Sequence, residues 1–308
     1  MQKQIRNTLC LVTAALIWGG AFTAQSIGAE VEPYTFLAGR SWLAVAFLLP
    51  LTAVFDALAR RAGKPGGWPK TKQDKKNLYW GGFWCGTALF VASAAQQIGI
   101  TSSRSPAKAG FLTALYVVLV PLLGLLFGRR PPRHIWVCVL LSVGGMYLLC
   151  MQDGFGAVEF GDALLLFCGL LFAVQILTVN HWSPLADGVK LSLVQFATVS
   201  VWATIAMLLL EHPDWAAVWQ NFGSIAYCGI LSSGIAYTLQ IVGQKDLNPT
   251  IASLAMCLES VFGALFGWLI LNDVLTGREL AGCVLMFAAV VLAELPVEQW
   301  LRRKTEVH

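Results

Sequence analysis

The sequence carries very little charge for its length. Of its 308 residues, 12% are charged and 57% are hydrophobic, whereas about a quarter of the residues of an ordinary soluble domain are charged. Apolar runs close to the ~20 residues that cross a bilayer recur along the whole chain, and the connections between them are short. These patterns exclude a water-soluble fold. They predict an all-α integral membrane protein with about ten transmembrane helices.

The predicted helices follow the apolar runs. The first run follows Lys3 and Arg6 but is longer than the apolar core of a secretory signal peptide and lacks a small-x-small cleavage site, so we expect it to remain as a helix. The ten predicted spans are Asn7–Ile27, Tyr34–Phe55, Leu78–Gly99, Ala107–Phe127, His134–Met151, Gly161–Trp182, Val189–Leu210, Phe222–Gly243, Thr250–Leu271 and Glu279–Leu295.

Motifs for nucleotide, metal or covalent chemistry are also missing. The sequence has no Walker A motif, so the chain cannot drive transport by hydrolysing ATP on its own, and it has no HExxH, GxSxG or clustered His, Asp and Glu. Its eight cysteines form no CxxC pair and fall within the predicted helices, which suits small packing residues. We therefore predict no enzyme, no catalytic residues, no metal site and no cofactor.

Basic residues are distributed unevenly among the connections. If the amino terminus is cytoplasmic, most of the 21 Lys and Arg residues fall on the inner side, and only Arg104, Lys108 and Arg278 fall on the outer side. This predicts a multi-pass protein of the inner (cytoplasmic) membrane with both termini in the cytoplasm. The basic stretch Arg60–Lys76 is then a cytoplasmic loop that meets lipid head groups, and no nucleic acid is expected as a partner.

One membrane segment occurs twice. Ser105 to Gly128 aligns without a gap with Asn248 to Leu271, 143 residues later, and the same offset pairs Gln97 with Gln240. Two copies of an odd number of helices run in opposite directions, as in the inverted repeats of secondary transporters. The sequence therefore predicts two inverted five-helix repeats.

The second copy lacks the long basic loop of the first, which changes the offset upstream of that loop. Upstream of the long basic loop the match shifts to 154 residues and pairs Trp18 with Phe172. The basic turn that holds Arg129 corresponds to an acidic turn that holds Asp273, as opposite sides of a membrane require. We predict a first repeat at 7–151, a second at 161–296 and a cytoplasmic tail at 297–308.

Residues in both copies resemble the EamA branch of the drug/metabolite transporter superfamily. Ile17–Phe22 is similar to the WG-x-x-F start of that family, and the Pro33 to Arg40 spacing is similar to its second helix. Leu258–Trp268 looks like the family's LEPVFAALxGW stretch, with Ser260 in place of proline. The resemblance covers nearly the whole chain. It implies a ten-helix carrier with two EamA domains that moves small metabolites or drug-like molecules, often outward.

Glu259 is the only carboxylate near the middle of a predicted helix. Placing an acidic side chain there costs ~2.5–3.5 kcal/mol on translocon scales, so such residues usually face a cavity or a partner. Two interpretations stay open. Glu259 could bind an amino group or a proton, or it could stay protonated and hydrogen-bond a neighbouring helix.

Arg40 is a second candidate for the substrate site. Its side chain either reaches the head groups or lines a central cavity, where it could meet a substrate carboxylate. Together with Glu259, it would suit a zwitterion such as an amino acid.

Neutral residues complete the candidate site. Gln97, Gln240 and Tyr237 offer hydrogen-bonding groups, although helix packing is the preferred explanation for them, and Trp18 is a candidate cavity wall. Pro121 removes a backbone hydrogen bond within the fourth helix and is a candidate hinge.

These patterns favour a permease that works by alternating access and exports a small molecule, with protons as a candidate coupling ion and membrane lipids as its surroundings. Two alternatives stay open: a membrane scaffold or accessory subunit that moves nothing, and an intramembrane enzyme that processes lipid. No pattern specifies the substrate, the coupling ion or the oligomeric state.

Overall fold

Long apolar helices form nearly all of the computed structural model, which describes residues 2–63, 66–102, 106–126, 128, 131–151, 160–271 and 276–295. In chain order the helices are α1 (Gln2–Ile27), α2 (Pro33–Arg61), α3 (Lys72–Ser102), α4 (Pro106–Ala114), α5 (Tyr116–Leu126), α6 (Arg133–Cys150), α7 (Phe160–Trp182), α8 (Gly188–Leu210), α9 (Trp215–Gln220), α10 (Phe222–Ala226), a π-helix (Tyr227–Ala236), α11 (Tyr237–Gln244), α12 (Pro249–Met256), α13 (Glu259–Leu271) and α14 (Gly277–Glu294).

These helices form ten membrane segments. Within the described ranges, eight stretches are long and apolar enough to cross a bilayer, and Gly110–Leu126 is a shorter apolar helix. The tenth segment is α14, whose 18 residues include three charged side chains. The prediction of an all-α membrane protein with about ten helices is therefore confirmed. The turn residues Arg129 and Asp273 and the tail 297–308 lie outside the described residues.

Three of the ten segments are not the continuous α-helices that the apolar runs predicted. The fourth segment breaks at Leu115, between α4 and α5, and the ninth breaks at Leu258, between α12 and α13. The helix tightens at both breaks, where the Val118 N–H bonds to the Leu115 carbonyl three residues back and the Ser260 N–H bonds to the Cys257 carbonyl, at 3.0 and 3.3 Å. The eighth segment is wound as a π-helix over ten residues.

The predicted hinge, Pro121, lies inside α5 and is buried. The break in this segment falls at Leu115 instead, six residues earlier in the sequence. A hinge at Pro121 stays a prediction.

Packing between the segments follows the repeat. The first segment, α1, packs on the eighth and ninth segments, and its counterpart α7 packs on the third and fourth. Three further contacts join equivalent segments of the two halves: α2 with α8, α6 with α14, and α5 with α12. This is the arrangement expected of two inverted halves related by an approximate two-fold axis.

Two equivalent glycines, Gly86 and Gly229, allow close helix crossings at equivalent places in the two halves. A Cβ at Gly86 would lie 2.5 Å from the Gln195 carbonyl oxygen, and a Cβ at Gly229 would lie 2.9 Å from the Arg40 carbonyl oxygen. Because neither position carries a side chain, α3 approaches α8 and the π-helix approaches α2 almost backbone to backbone. The second crossing sets the position of Arg40.

Polar contacts tie both ends of the α2–α8 pair. At one end the Lys190 ammonium lies 2.6 Å from the Asp56 carboxylate. At the other end the Glu211 carboxylate accepts hydrogen bonds from the Tyr34 and Thr35 N–H groups at 2.8 and 2.7 Å, and so caps the start of α2.

A polar contact also joins α1 to the turn before α12. The Lys3 ammonium donates to the Asp246 carboxylate at 2.8 Å. This hydrogen bond holds the pKa of Asp246 below its usual value.

Candidate functional site

A polar cavity lies where the middle parts of helices from both repeats meet. Its volume is about 40 Å³, which leaves room for only a few water molecules. Five of the six predicted site residues line it: Glu259, Arg40, Trp18, Gln240 and Tyr237. The other lining residues are Ala21, Phe22, Gln25, Gln96, Thr113, Tyr116, Phe172, Gln175, Ile176, Ser232 and Met256.

Arg40 points into this cavity and away from the head groups. It is 5% exposed, and its guanidinium donates to Ser233 Oγ, Ser232 Oγ and Gln25 Oε1 at 3.1, 3.2 and 3.3 Å. All three acceptors are neutral, and Arg40 forms no ion pair within the part of the chain that the structure describes. A buried guanidinium without a carboxylate is suited to bind an anionic group.

Two consecutive serines of the π-helix hold the Arg40 guanidinium. A π-helix is rare and occurs frequently at functional sites. Here it brings Ser232 and Ser233, both almost fully buried, to the Nη2 and Nε atoms of one arginine. The local winding of the eighth segment therefore builds part of the site.

Glu259 reaches the same cavity from the ninth segment. It is 8% exposed and is the first residue of α13, directly after the break at Leu258. The Tyr116 hydroxyl donates to Glu259 Oε1 at 3.3 Å. The cavity therefore has a cationic residue from the first half and a carboxyl from the second half in its wall.

Several buried polar atoms around the cavity have no protein partner. Gln240 Nε2 donates to Gln175 Oε1 at 3.1 Å, but Gln240 Oε1, Gln175 Nε2 and Trp18 Nε1 are unpartnered. A buried polar atom without a partner costs about 1–3 kcal/mol. These atoms are therefore available to a polar ligand.

Trp18 and Tyr237 form an aromatic wall of the cavity. Their rings meet edge to face, with centroids 4.9 Å apart. Such a pair adds stabilisation beyond its buried area and leaves the ring edges beside the polar groups.

The remaining predicted residue, Gln97, is buried but does not line the cavity; its neighbour Gln96 does. The sequence did not single out Gln25, Gln175 or Ser232, which also line the cavity. Tyr116 had a usable signal, since the 143-residue offset aligns it with Glu259. Across the described ranges, no group of three or more His, Cys, Asp or Glu side chains could hold a metal ion.

A second, larger pocket is apolar and lies between α3, α5 and α7. It has a volume of about 800 Å³, and Trp84, Leu123 and Val174 are among its lining residues. Trp84 and Val174 are half exposed. This groove faces outward from the bundle, and so it differs in kind from the polar cavity.

The structure is that of a helical membrane protein of about ten segments, with a polar cavity between its two halves. The model of the EamA-like transporter family matches residues 6–151 and 159–295. The chain therefore belongs to the EamA-like transporter family and is a permease of the drug/metabolite transporter superfamily.

Individual proteins agree with this assignment. An uncharacterized transporter of Archaeoglobus fulgidus is 28% identical over 96% of this chain and 88% of its own length. The threonine/homoserine exporter RhtA of Salmonella typhimurium is 26% identical over 58% of this chain and 59% of its own length. A solved crystal structure has the same fold, with a TM-score of 0.76 and 19% identity over 96% of this chain and 98% of that chain.

Proposed function

We propose that this permease exports a small zwitterion of the amino-acid class across the cytoplasmic membrane. One observation carries the proposal: the Arg40 guanidinium is buried without an ion pair in a cavity that Glu259 also lines. A substrate carboxylate would accept from Arg40, and a substrate amino group would face Glu259. The resemblance to a threonine/homoserine exporter supports both the substrate class and the direction.

Transport would proceed by alternating access. The cavity of about 40 Å³ is too small for an amino acid together with its hydration water, so the two halves, 7–151 and 161–296, would have to move apart on one side to admit it. The helix breaks at Leu115 and Leu258 supply flexible points at equivalent places in the two halves. Glu259 would also be the group that binds and releases a proton, if transport is coupled to protons.

The distribution of charge supports one orientation in the membrane. Lys3, Lys190 and Lys245 would lie at the cytoplasmic ends of their segments, and Glu30 and Glu211 at the outer ends. Both termini would then be cytoplasmic. We further propose that the chain catalyses no covalent chemistry, since the cavity's side chains suit binding alone.

Counterflow in proteoliposomes tests this function. Liposomes that contain the purified protein are preloaded with each member of a panel of unlabelled amino acids and other metabolites. Uptake of the same compound in labelled form is then followed at several pH values. We expect saturable counterflow for at least one amino acid, and at least a tenfold loss in Glu259→Gln, because a charged hydrogen bond of about 1.5–3 kcal/mol is removed.

The exposed Glu30, changed to Gln, is the matched control and should leave counterflow unchanged. No counterflow from folded protein across the panel would favour the scaffold interpretation. Product formation from a lipid by the purified protein would favour an enzyme. A Glu259→Gln variant with the wild-type rate and pH dependence would remove Glu259 from the site.

A further inference from the structure

Tyr116 and Glu259 occupy the same place in the two repeats. They are 143 residues apart in the sequence, which is the offset that aligns the repeated segments. Each is the first residue after a helix break, Tyr116 at the start of α5 and Glu259 at the start of α13. The second repeat therefore carries a carboxyl where the first carries a phenol.

These two equivalent residues also touch each other. The Tyr116 hydroxyl lies 3.3 Å from Glu259 Oε1, and both residues are buried. Two equivalent points of a two-fold arrangement can meet only on its axis. The Tyr116–Glu259 hydrogen bond therefore lies on the approximate two-fold axis between the halves.

The position of a contact relative to the axis determines whether the contact persists during alternating access. In an inverted-repeat carrier, the second access state is reached when each half takes up the conformation of the other. A contact between non-equivalent residues then changes partners, whereas a contact between equivalent residues is converted into itself. The axis contact is kept in both states.

We propose that Tyr116 is a positioning residue for Glu259, and that it holds this carboxyl toward the cavity in both the inward-facing and the outward-facing state. This inference rests on the proposed transport function.

Other titratable or charged groups around Glu259 are Arg40 on α2, Tyr237 on α11, Cys168 on α7 and Cys257 beside the break. The neutral Trp18, Thr113 and Ser142 stand on α1, α4 and α6.

A double-mutant cycle tests the pairing. Tyr116→Phe removes only the hydroxyl, and it is compared with Glu259→Gln and with the double variant. We expect Tyr116→Phe to raise the KM for substrate several-fold at either face of the membrane and to displace the pH profile of counterflow. Both effects should be absent when Tyr116→Phe is added to Glu259→Gln.

Tyr227→Phe is the matched control. Its hydroxyl donates to the Ile17 carbonyl at 3.0 Å, away from the cavity and off the axis. It should change KM at one face at most, and its effect should add to that of Glu259→Gln. An effect of Tyr116→Phe at one face only, or full additivity with Glu259→Gln, would overturn the inference.

Thermal unfolding in detergent separates this inference from the proposed function, because it needs no substrate. The same cycle of Tyr116→Phe and Glu259→Gln is measured as melting temperatures across a range of pH. If the melting temperatures show coupling between Tyr116 and Glu259 but the protein shows no counterflow, the pairing is supported and amino-acid transport is rejected. Absence of coupling in unfolding would reject the pairing, whether or not the wild type transports.

Discussion

The two halves of this protein keep the same crossings but differ in what faces outward from them. At Gly20 of the first segment, an added Cβ would collide with the Tyr227 hydroxyl, and Phe266 also packs against this glycine. The equivalent residues of the other half are Val174, Trp84 and Leu123, and they line an open groove of about 800 Å³. Tyr227 and Phe266 thus pack on Gly20 and close this surface, whereas the equivalent surface of the other half is an open groove.

The charged residues differ more sharply still. At the offset of its own segment, Arg40 corresponds to Val194, and Glu259 corresponds to Tyr116. The shared glycine crossings therefore preserve the architecture, while each half contributes one charged group that the other lacks. A substrate held between a guanidinium and a carboxyl would have a single orientation in the cavity, although the scaffold around it is nearly symmetric.

Removal of the Arg40 charge should have the largest effect on transport. Arg40→Ala loses the hydrogen bonds from the guanidinium, and we expect substrate affinity to fall by about 10- to 100-fold. Val194→Ala is the matched control, because Val194 occupies the equivalent place and packs on Gly82. Affinity measured by counterflow should change less than twofold in this control. Equal losses in the two variants would show that Arg40 acts through packing.

Filling the two equivalent glycines should have a smaller, unequal effect. Gly86→Val and Gly229→Val each force a side chain against a helix backbone, which we expect to cost about 1–3 kcal/mol of stability. Thermal unfolding in detergent should show similar losses for both. Only Gly229→Val should also weaken substrate binding, because it displaces the backbone of Arg40. Equal counterflow from the two variants, at equal folded amounts, would contradict this account of how Arg40 is held.

The sequence predicted the architecture well, because hydropathy, charge and the repeat report on the membrane itself. The apolar runs located all ten segments, and five of six predicted site residues line one cavity. Glu259 and Arg40 were identifiable because a charged side chain within a membrane helix is costly and so usually faces a cavity or a partner. The repeat also contained the Tyr116–Glu259 equivalence, but it could not show that the two side chains meet.

The helix breaks and the π-helix were beyond prediction from the sequence. Leu115 and Leu258 are good helix formers, and no glycine or proline marks either break. Pro121 is a helix-breaking residue, but it lies six residues past the break in its segment. The break at Leu115 lies close to Gly169 of the other half, and local propensity does not report such packing. The cavity amides, such as Gln175, were missed for the same reason.

Substrate protection of cavity cysteines would show whether both halves enclose one substrate. Ala21→Cys places a thiol in the wall from the first half and Ile176→Cys places one from the second. Ala88→Cys in the apolar groove is the control, and wild-type protein gives the background of the native cysteines. We expect the exported amino acid to slow maleimide labelling of both cavity thiols with the same half-saturating concentration and to leave Ala88→Cys unaffected. Protection of the groove thiol alone, or of neither cavity thiol by a compound that shows counterflow, would contradict this expectation.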